Sequence, residues 1–93
     1  MALYEVLVSV LPRPVLLDPE GETIARAIQR QGQAAVQGVR AGRAFLVYLE
    51  ASDSEGALRI AHEVAQRFLH NPVVEIYLIH PPKEAPSEQA APL

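Results

Sequence analysis

The sequence contains no cysteine and no tryptophan, and it has no excess of basic residues. Without cysteine there is no disulfide framework, no thiol chemistry and no cysteine-based zinc site. A formal net charge of -3 at pH 7 argues against nucleic acid as the main partner, because phosphate binding requires a basic face. No stretch approaches the roughly 18 apolar residues of a membrane span. These absences predict a cytoplasmic protein that acts neither on nucleic acid nor on a membrane.

The chain is short enough for its fold to need a partner. Its 93 residues make one domain with a modest core, near the size at which oligomerisation commonly supplies missing burial. We expect a single domain over residues 1–80 and a flexible, proline-rich tail over residues 81–93. No signal peptide is predicted, because no basic segment precedes the first apolar run and that run carries Glu5 and Ser9.

Strand patterns occur at the start, in the middle and near the end of the sequence. Residues 3–10 predict a first strand that ends near residue 11, because Pro12 and Pro14 lack the backbone donor of a central strand. Residues 36–50, VQGVRAGRAFLVYLE, predict a long strand that bends, bulges or divides at its glycines. Residues 73–79 predict the last strand. The middle and last strands are apolar on both alternating faces, which is typical of strands covered on both sides.

Helical patterns lie between these strands. Residues 22–31 predict a first helix, with Gly32 at its end. Residues 55–69 predict a second helix, preceded by a capping box and stopped by a left-handed Asn71 before Pro72. Its apolar stripe, which we assign to the core, consists of Leu58, Ala61, Val64, Ala65 and Phe68.

The alternation of these elements predicts an α+β fold in the order β-α-β-α-β, with an antiparallel sheet and both helices on one face. This arrangement resembles half of a ferredoxin-like fold. Two helices cover only one face of a sheet whose strands are apolar on both sides. The other face therefore requires a partner, and this favours an assembly subunit over a self-sufficient enzyme.

Few side chains are candidates for catalysis or ligand binding. The histidines at 62, 70 and 80 do not have the spacing of a zinc site, and we interpret them as surface residues. Glu5, Glu50 and Glu75 either line up for acid–base work or form a polar row on the sheet, and strand alternation favours the row. Arg40 and Arg43, on the glycine-flanked bend, either meet an acidic neighbour or a phosphate or are simply solvated. Asp18-Pro19-Glu20-Gly21 is interpreted as a turn that feeds the first helix.

Taken in order, these segments resemble the PurS family, the small subunits of phosphoribosylformylglycinamidine (FGAM) synthase in purine biosynthesis. The resemblance covers roughly residues 4–79. It depends on the opening strand, on LDPEG at 17–21, on VQGVRAGR at 36–43, on the strand at 45–50 and on LHNPVVE at 69–75. The sequence departs from the family pattern at Arg43, where lysine is common, at Gly38, where an acidic residue is frequent, and at the unusual Pro12 and Pro14.

The resemblance implies a subunit with no catalytic centre, metal site or cofactor of its own. It implies a dimer or tetramer that bridges a PurL-type synthase and a PurQ-type glutaminase and supports ammonia transfer between them. The complex, which uses ATP and Mg, converts formylglycinamide ribonucleotide to FGAM with glutamine as nitrogen donor. The candidate interface or docking residues are Arg40, Gly42, Arg43, Leu46, Tyr48, Asp18 and Asn71.

Two other function classes remain open at this point. A small ligand-sensing regulatory domain of ferredoxin-like type would also dimerise through its sheet, and its melting temperature would respond to an amino acid or a nucleotide. A small enzyme at a dimer interface would assemble Glu50, Glu75 and Arg43 from two chains. It would turn over a substrate without any partner protein, unlike a bridging subunit.

Overall fold

A four-stranded antiparallel sheet forms the centre of the computed structural model, which describes residues 1–85. β1 lies in the middle, pairing with β2 along one edge and with β3 and β4 along the other. The α+β class and the antiparallel sheet predicted from the sequence are confirmed. The strands are β1 Ala2–Pro12, β2 Arg43–Ala51, β3 Glu75–Ile79 and β4 Lys83–Glu84, and the helices are α1 Pro19–Arg30 and α2 Ser54–Val64, which continues as a π-helical turn, Ala65–Leu69.

The core lies between β1 and α2. Alternation along β1 directs Val6, Val8 and Val10 toward the helix, and all are almost completely buried. On the helical side, small residues recur at every fourth position, which keeps them on one face of the helix. They are Ala57 and Ala61 beside Val6, and Ala65 beside Val8 and Val10. Small side chains allow the helix to approach the sheet closely, so α2 covers this face of the sheet.

The first helix has a different neighbour. Its N-cap is Asp18, whose carboxylate accepts from the Gly21 backbone, and Pro19 occupies its first position. At its other end, the Gln29 side chain donates to the Val36 carbonyl (2.8 Å). α1 therefore lies beside the connection that precedes β2, whereas α2 makes the extensive helix contacts with the strands. Within residues 1–85, neither helix has the length and apolar content of a membrane span.

Several predicted boundaries change in the structure. Residues 36–42 are not strand. The Val36 carbonyl accepts from the Gln29 side chain and the Ala41 N–H donates to the Asp18 side chain, so neither group pairs with a neighbouring strand. Of the candidate caps that the segment 52–55 offers, Asp53 caps α2 by accepting from the Gly56 backbone (2.7 Å). In the described residues only Gly32 has a positive φ, so Asn71 is not a left-handed cap. The Asn71 side chain accepts from the Val73 backbone (3.0 Å) and forms an Asx turn.

The domain also extends beyond its predicted end at residue 80. The His80 backbone donates to the Leu7 carbonyl and the Ala85 backbone to the Leu3 carbonyl, both at 2.9 Å. β4 thus continues the edge that β3 begins, after an interruption at Pro81 and Pro82, where there is no N–H to donate. This pairing assigns residues 81–85 of the predicted tail to the sheet. The rest of that tail, residues 86–93, lies outside the described residues.

Candidate interaction surfaces

The sheet face opposite α2 is apolar and exposed. Strand register places Leu7 opposite Leu46 and Glu5 opposite Tyr48, and the same side of β3 presents Leu78. Leu46 is 48% exposed and Tyr48 is 39% exposed. The structure therefore brings the two predicted sheet-interface residues together on one surface. We call this surface, which consists of Leu7, Leu46, Tyr48 and Leu78, the open sheet face.

A pocket of about 420 Å³ lies at the edge of the open sheet face, between Leu46 and the His80–Lys83 segment. Beside it, Ser9 Oγ and His80 Nε2 are 2.8 Å apart. A serine–histidine pair becomes a strong nucleophile when a third group orients the imidazole. Among the hydrogen bonds of residues 1–85, no carboxylate contacts His80. The pair is thus a link between β1 and the chain that follows β3.

The three glutamates considered from the sequence do not converge. Glu5 and Glu50 lie on the open sheet face, where Glu5 is opposite Tyr48 and Glu50 is opposite Leu3. Glu75 lies at the other end of the sheet, opposite Pro12, and turns toward Arg43. Residues 1–85 contain no group of three or more side chains placed to hold a metal ion. These three carboxylates therefore form no pair for acid–base work within one chain.

A second group of predicted residues gathers where β1 ends. We call it the sheet-end cluster. Its centre is a bidentate ion pair between Arg43 and Glu75, with N–O distances of 2.7 and 3.0 Å. Arg43 also donates to the Leu69 carbonyl (3.2 Å), and Glu75 accepts from the Asn71 backbone (2.8 Å). The planar guanidinium serves both partners, and a lysine at this position would lose the bidentate geometry. The cluster consists of Asp18, Arg40, Gly42, Arg43, Asn71 and Glu75.

Asp18 bonds to two chain segments beside the cluster. One carboxylate oxygen accepts from the Gly21 backbone (3.0 Å) and the other from the Ala41 backbone (2.8 Å), so this side chain joins α1 to the chain before β2. Arg40 donates to the Pro12 carbonyl. Next to it, the Gly42 backbone approaches the Val10 carbonyl so closely that a Cβ would collide with it. A shallow pocket of about 440 Å³ lies between these groups. The charged groups here bond mainly to the chain itself, which is typical of a structural cluster.

The carboxylates of this cluster bind protons more weakly than ordinary side chains do. The pKa of Asp18 is lowered by the Ala41 backbone N–H first, then by the Gly21 backbone N–H, with a smaller contribution from the charge of Arg40. The pKa of Glu75 is lowered by the Asn71 backbone N–H first, then by the hydrogen bond and charge of Arg43. Partial burial opposes both shifts. Each carboxylate is therefore held in its ionised form by groups that folding brings to it.

Acidification is expected to remove the stabilisation that Asp18 and Glu75 provide. Because their folded-state pKa values are lowered, this stabilisation is complete above the ordinary carboxyl pKa of about 4 and is lost as pH falls through the lower folded-state values. Urea unfolding at a series of pH values should show a stability gap between wild type and the Asp18→Asn, Glu75→Gln double variant. The gap should be widest at neutral pH and should close on acidification.

The matched control is Glu22→Gln, which removes one carboxylate from an exposed pair with Arg26. We expect that control to change stability by no more than about 0.5 kcal/mol, the range of exposed ion pairs. A gap between wild type and the double variant that stays constant from neutral to acidic pH would contradict the assignment.

Comparison with protein families gives the geometry a context. The model of the PurS family, described as phosphoribosylformylglycinamidine (FGAM) synthase, matches residues 5–82. The chain belongs to the PurS family. The PurS subunit of FGAM synthase from Thermotoga maritima is 34% identical over 77 residues, which cover 83% of this chain and 94% of the relative. The subunit from Mycobacterium leprae is 35% identical over 75 residues, covering 78% and 89%.

Solved PurS structures have the same fold. PurS from Thermus thermophilus superimposes with a TM-score of 0.80 at 26% identity and covers 90% of this chain and 99% of that chain. A chain in the structure of PurLQS from Thermotoga maritima superimposes with a TM-score of 0.76 at 32% identity, covering 87% and 99%. The sheet and helices described above are therefore those of the PurS family.

Within this PurS fold, the predicted docking residues fall into two groups. Asp18, Arg40, Gly42, Arg43 and Asn71 belong to the sheet-end cluster, whereas Leu46 and Tyr48 belong to the open sheet face. The two groups lie on different surfaces, and their role in docking stays a prediction. The sequence grouped Arg43 with Glu75 only in the alternative of an enzyme assembled from two chains; it did not pair them within one chain, because Glu75 is 32 residues away and no local pattern relates the two.

One further cluster was not predicted. The Tyr77 ring lies edge-on to His70 at 4.8 Å and to His62 at 5.7 Å between centroids. His70 Nδ1 is 3.0 Å from the Ala65 carbonyl, across the π-helical turn. Two of the predicted surface histidines thus pack around a strand residue. The available sequence signal was the eight-residue spacing of His62 and His70, which in a continuous helix would place both near one face.

Proposed function

We propose that this chain is the non-catalytic small subunit of FGAM synthase and that it bridges PurL-type synthase and PurQ-type glutaminase subunits. The observation that carries the proposal is the family match over residues 5–82, together with the likeness to a chain of the PurLQS structure. On this proposal the chain works in the cytoplasm, in the conversion of formylglycinamide ribonucleotide to FGAM. ATP and Mg are bound by the partner subunits.

The arrangement of charged side chains supports a non-catalytic role. The strongest charge pair, Arg43 with Glu75, connects β2, β3 and the π-helical turn across β1, and Asp18 connects α1 to the chain before β2. A catalytic acid or base must be free to reach a substrate. Here the carboxylates with shifted pKa values accept hydrogen bonds from backbone N–H groups that hold the loops in place.

A non-catalytic subunit of this kind can support ammonia transfer. Ammonia released from glutamine at one subunit is lost to water unless the consuming site lies close to it and is shielded. A small subunit that holds both partners in a fixed orientation supports the transfer without chemistry of its own. Self-association through the open sheet face, as a dimer or tetramer, would give each assembly more than one binding site for its partners.

Reconstitution tests the proposal. Purified PurL-type and PurQ-type subunits are assayed for FGAM formation with and without this chain, using either glutamine or added ammonium as the nitrogen source. We expect the chain to raise glutamine-dependent turnover by about tenfold or more, because it converts two separate proteins into one assembly. Ammonium-dependent turnover should change far less, since it bypasses the glutaminase. Sedimentation of the same mixtures should show a complex that forms only when the chain is present.

Equal glutamine-dependent rates and equal complex masses without the chain would refute the proposal. In that case the ligand-sensing alternative gains weight, since the pocket beside His80 has a volume within the range of small-molecule sites. Its signature would be a saturable rise in melting temperature with an amino acid or a nucleotide.

A further inference from the structure

One edge of the sheet is long, apolar and unpaired. Within residues 1–85, β2 pairs only with β1, so the other side of β2 forms an edge of the sheet. The sequence between Arg43 and Glu50 is AFLVYL, which contains neither proline nor a charged residue. Soluble proteins usually protect such an edge, because a long apolar edge strand recruits a further strand. We call this side of β2 the β2 edge.

The opposite edge of the sheet is protected. β3 has five residues and β4 has two, and Pro81 and Pro82 separate them. Short strands and prolines are common means by which proteins prevent the addition of a strand. In the part of the chain that the structure describes, the β2 edge is therefore the edge suited to pairing with another strand.

The hydrogen bonds of β1 show which backbone groups of β2 point outward. The carbonyls of Leu3 and Leu7 accept from the chain that follows β3. Because neighbouring residues of a strand direct their backbone groups to opposite sides, Val6 directs its groups toward β2, where it lies opposite Val47. Alternation along β2 then turns the backbone groups of every second residue toward the free edge. These outward residues are Ala44, Leu46, Tyr48 and Glu50.

An antiparallel copy of the same strand satisfies all of these groups at once. If Val47 lies opposite the partner's Val47, Leu46 lies opposite the partner's Tyr48, and Ala44 lies opposite the partner's Glu50. Every outward N–H and C=O of both copies then has a hydrogen-bond partner, and no like charges are opposite each other. Opposite residues must have their side chains on the same face, so the nearest other registers are shifted by a pair of residues. Such a shift places Ala44 or Glu50 beyond the end of the partner strand.

We propose that two copies of this chain pair through their β2 edges, with a two-fold axis at Val47, and join their sheets into one. A second copy is the occupant because the edge is self-complementary: a two-fold contact needs each residue pair to occur twice, as Leu46 with Tyr48 does. Both copies keep α2 on the same side of the joined sheet. Their open sheet faces become continuous and stay available for a face-to-face contact. This inference goes beyond the proposed function and does not depend on it.

Single cysteines test the register, because the chain has no cysteine of its own. Val47→Cys places a thiol from each copy at the two-fold axis, in a pair whose Cα atoms are about 4.5 Å apart, which suits a disulfide. Leu49→Cys is the matched control, since residue 49 is on the same face of β2 and is also partly buried. In this register its two copies are about 14 Å apart. Under mild oxidation of the full chain, Val47→Cys should form linked dimers at least about tenfold faster than Leu49→Cys.

Amide hydrogen exchange of the wild-type chain gives a second measurement without any substitution. Light scattering identifies a concentration at which the chain is self-associated and a dilution at which it is a single chain. The Leu46 and Tyr48 amides should exchange at least about tenfold more slowly in the associated sample, because the pairing places them in hydrogen bonds. The Phe45 and Val47 amides, which bond to β1, should change less.

Each possible result decides for or against the edge pairing. Equal linking of Val47→Cys and Leu49→Cys overturns it, as does a chain that stays monomeric at all concentrations. Faster linking of Leu46→Cys or Tyr48→Cys than of Val47→Cys overturns the register. Outward amides that exchange equally fast in both samples overturn the hydrogen-bonded contact. These measurements use the chain alone, so the reconstitution with PurL-type and PurQ-type subunits tests the proposed function separately.

Discussion

Replacing Leu46 by glutamate is expected to dissociate the self-associated chain. Leu46 lies opposite Leu7 on the open sheet face, and a symmetric contact through this face buries a new carboxylate from each copy. With about 2 kcal/mol for each interface position, two copies amount to about 4 kcal/mol, which is roughly a thousandfold in the dissociation constant. Light scattering over a dilution series should therefore show a fall in mass toward that of a single chain. Tyr48→Glu should act in the same direction.

Ile60→Glu is the control for this experiment. Ile60 lies on α2, away from the open sheet face, and is 39% exposed, as Tyr48 is. The Ile60→Glu change therefore adds the same charge at an apolar position of similar exposure. Its mass and melting temperature should match those of wild type. If Leu46→Glu keeps the wild-type mass, the open sheet face is not the self-association surface.

The sheet could be predicted because its signals are local. Alternation in β1 separates Val6, Val8 and Val10 from the residues of the other face, and the structure buries these valines completely or nearly so. The apolar residues on both faces of the middle strand predicted that one layer of helices would leave one face of the sheet uncovered. The structure shows α2 over one face and an exposed apolar surface on the other, which is the uncovered face that the sequence predicted.

The connections could not be predicted to the same extent, because distant hydrogen bonds determine them. The chain before β2 was predicted to be strand, yet the Ala41 backbone bonds to a side chain 23 residues earlier. Arg43 was expected to meet an acidic neighbour or a phosphate or to be solvated, and it finds Glu75 across the central strand. Such pairs arise only when the sheet has brought both segments to the same end.

Phe68 and β4 illustrate a second limit of the sequence signal. Phe68 continues the helical stripe of Ala61 and Ala65, but the change to a π-helical turn at Ala65 alters the angular spacing of the residues that follow, and Phe68 is exposed. Lys83 and Glu84 are too few to show a strand pattern. They pair with Tyr4 and Glu5 because β3 leaves that part of the β1 edge free.

Gly42→Ala is expected to destabilise the fold by about 2 kcal/mol, within the usual range for overpacking. A Cβ at position 42 would collide with the Val10 carbonyl and would lie 2.7 Å from Leu11 Cδ2. The leucine side chain can move, but the Val10 backbone belongs to the central strand and is held by partners on both sides. The urea midpoint of the variant should fall accordingly.

Gly38→Ala is the matched control, because a Cβ at position 38 has no neighbour within 4 Å and the backbone φ is not positive. This change should be neutral, or stabilising by up to about 1 kcal/mol through a less flexible unfolded chain. Equal urea midpoints for the two alanine variants would contradict the close approach at Gly42.

The change at Gly42 should also affect the neighbouring ion pair. A displaced residue 42 also moves Arg43 away from Glu75, so part of the loss should come from the ion pair as well as from the collision. In a Glu75→Gln background the pair is already weakened, and Gly42→Ala should then be less destabilising than in wild type. A double-mutant cycle measures this difference, and for residues that share partners the coupling is typically about 0.5–3 kcal/mol. If the two stability changes are strictly additive, the ion pair adapts to the displaced strand, and alanine at position 42 is destabilising only through its collision with the backbone.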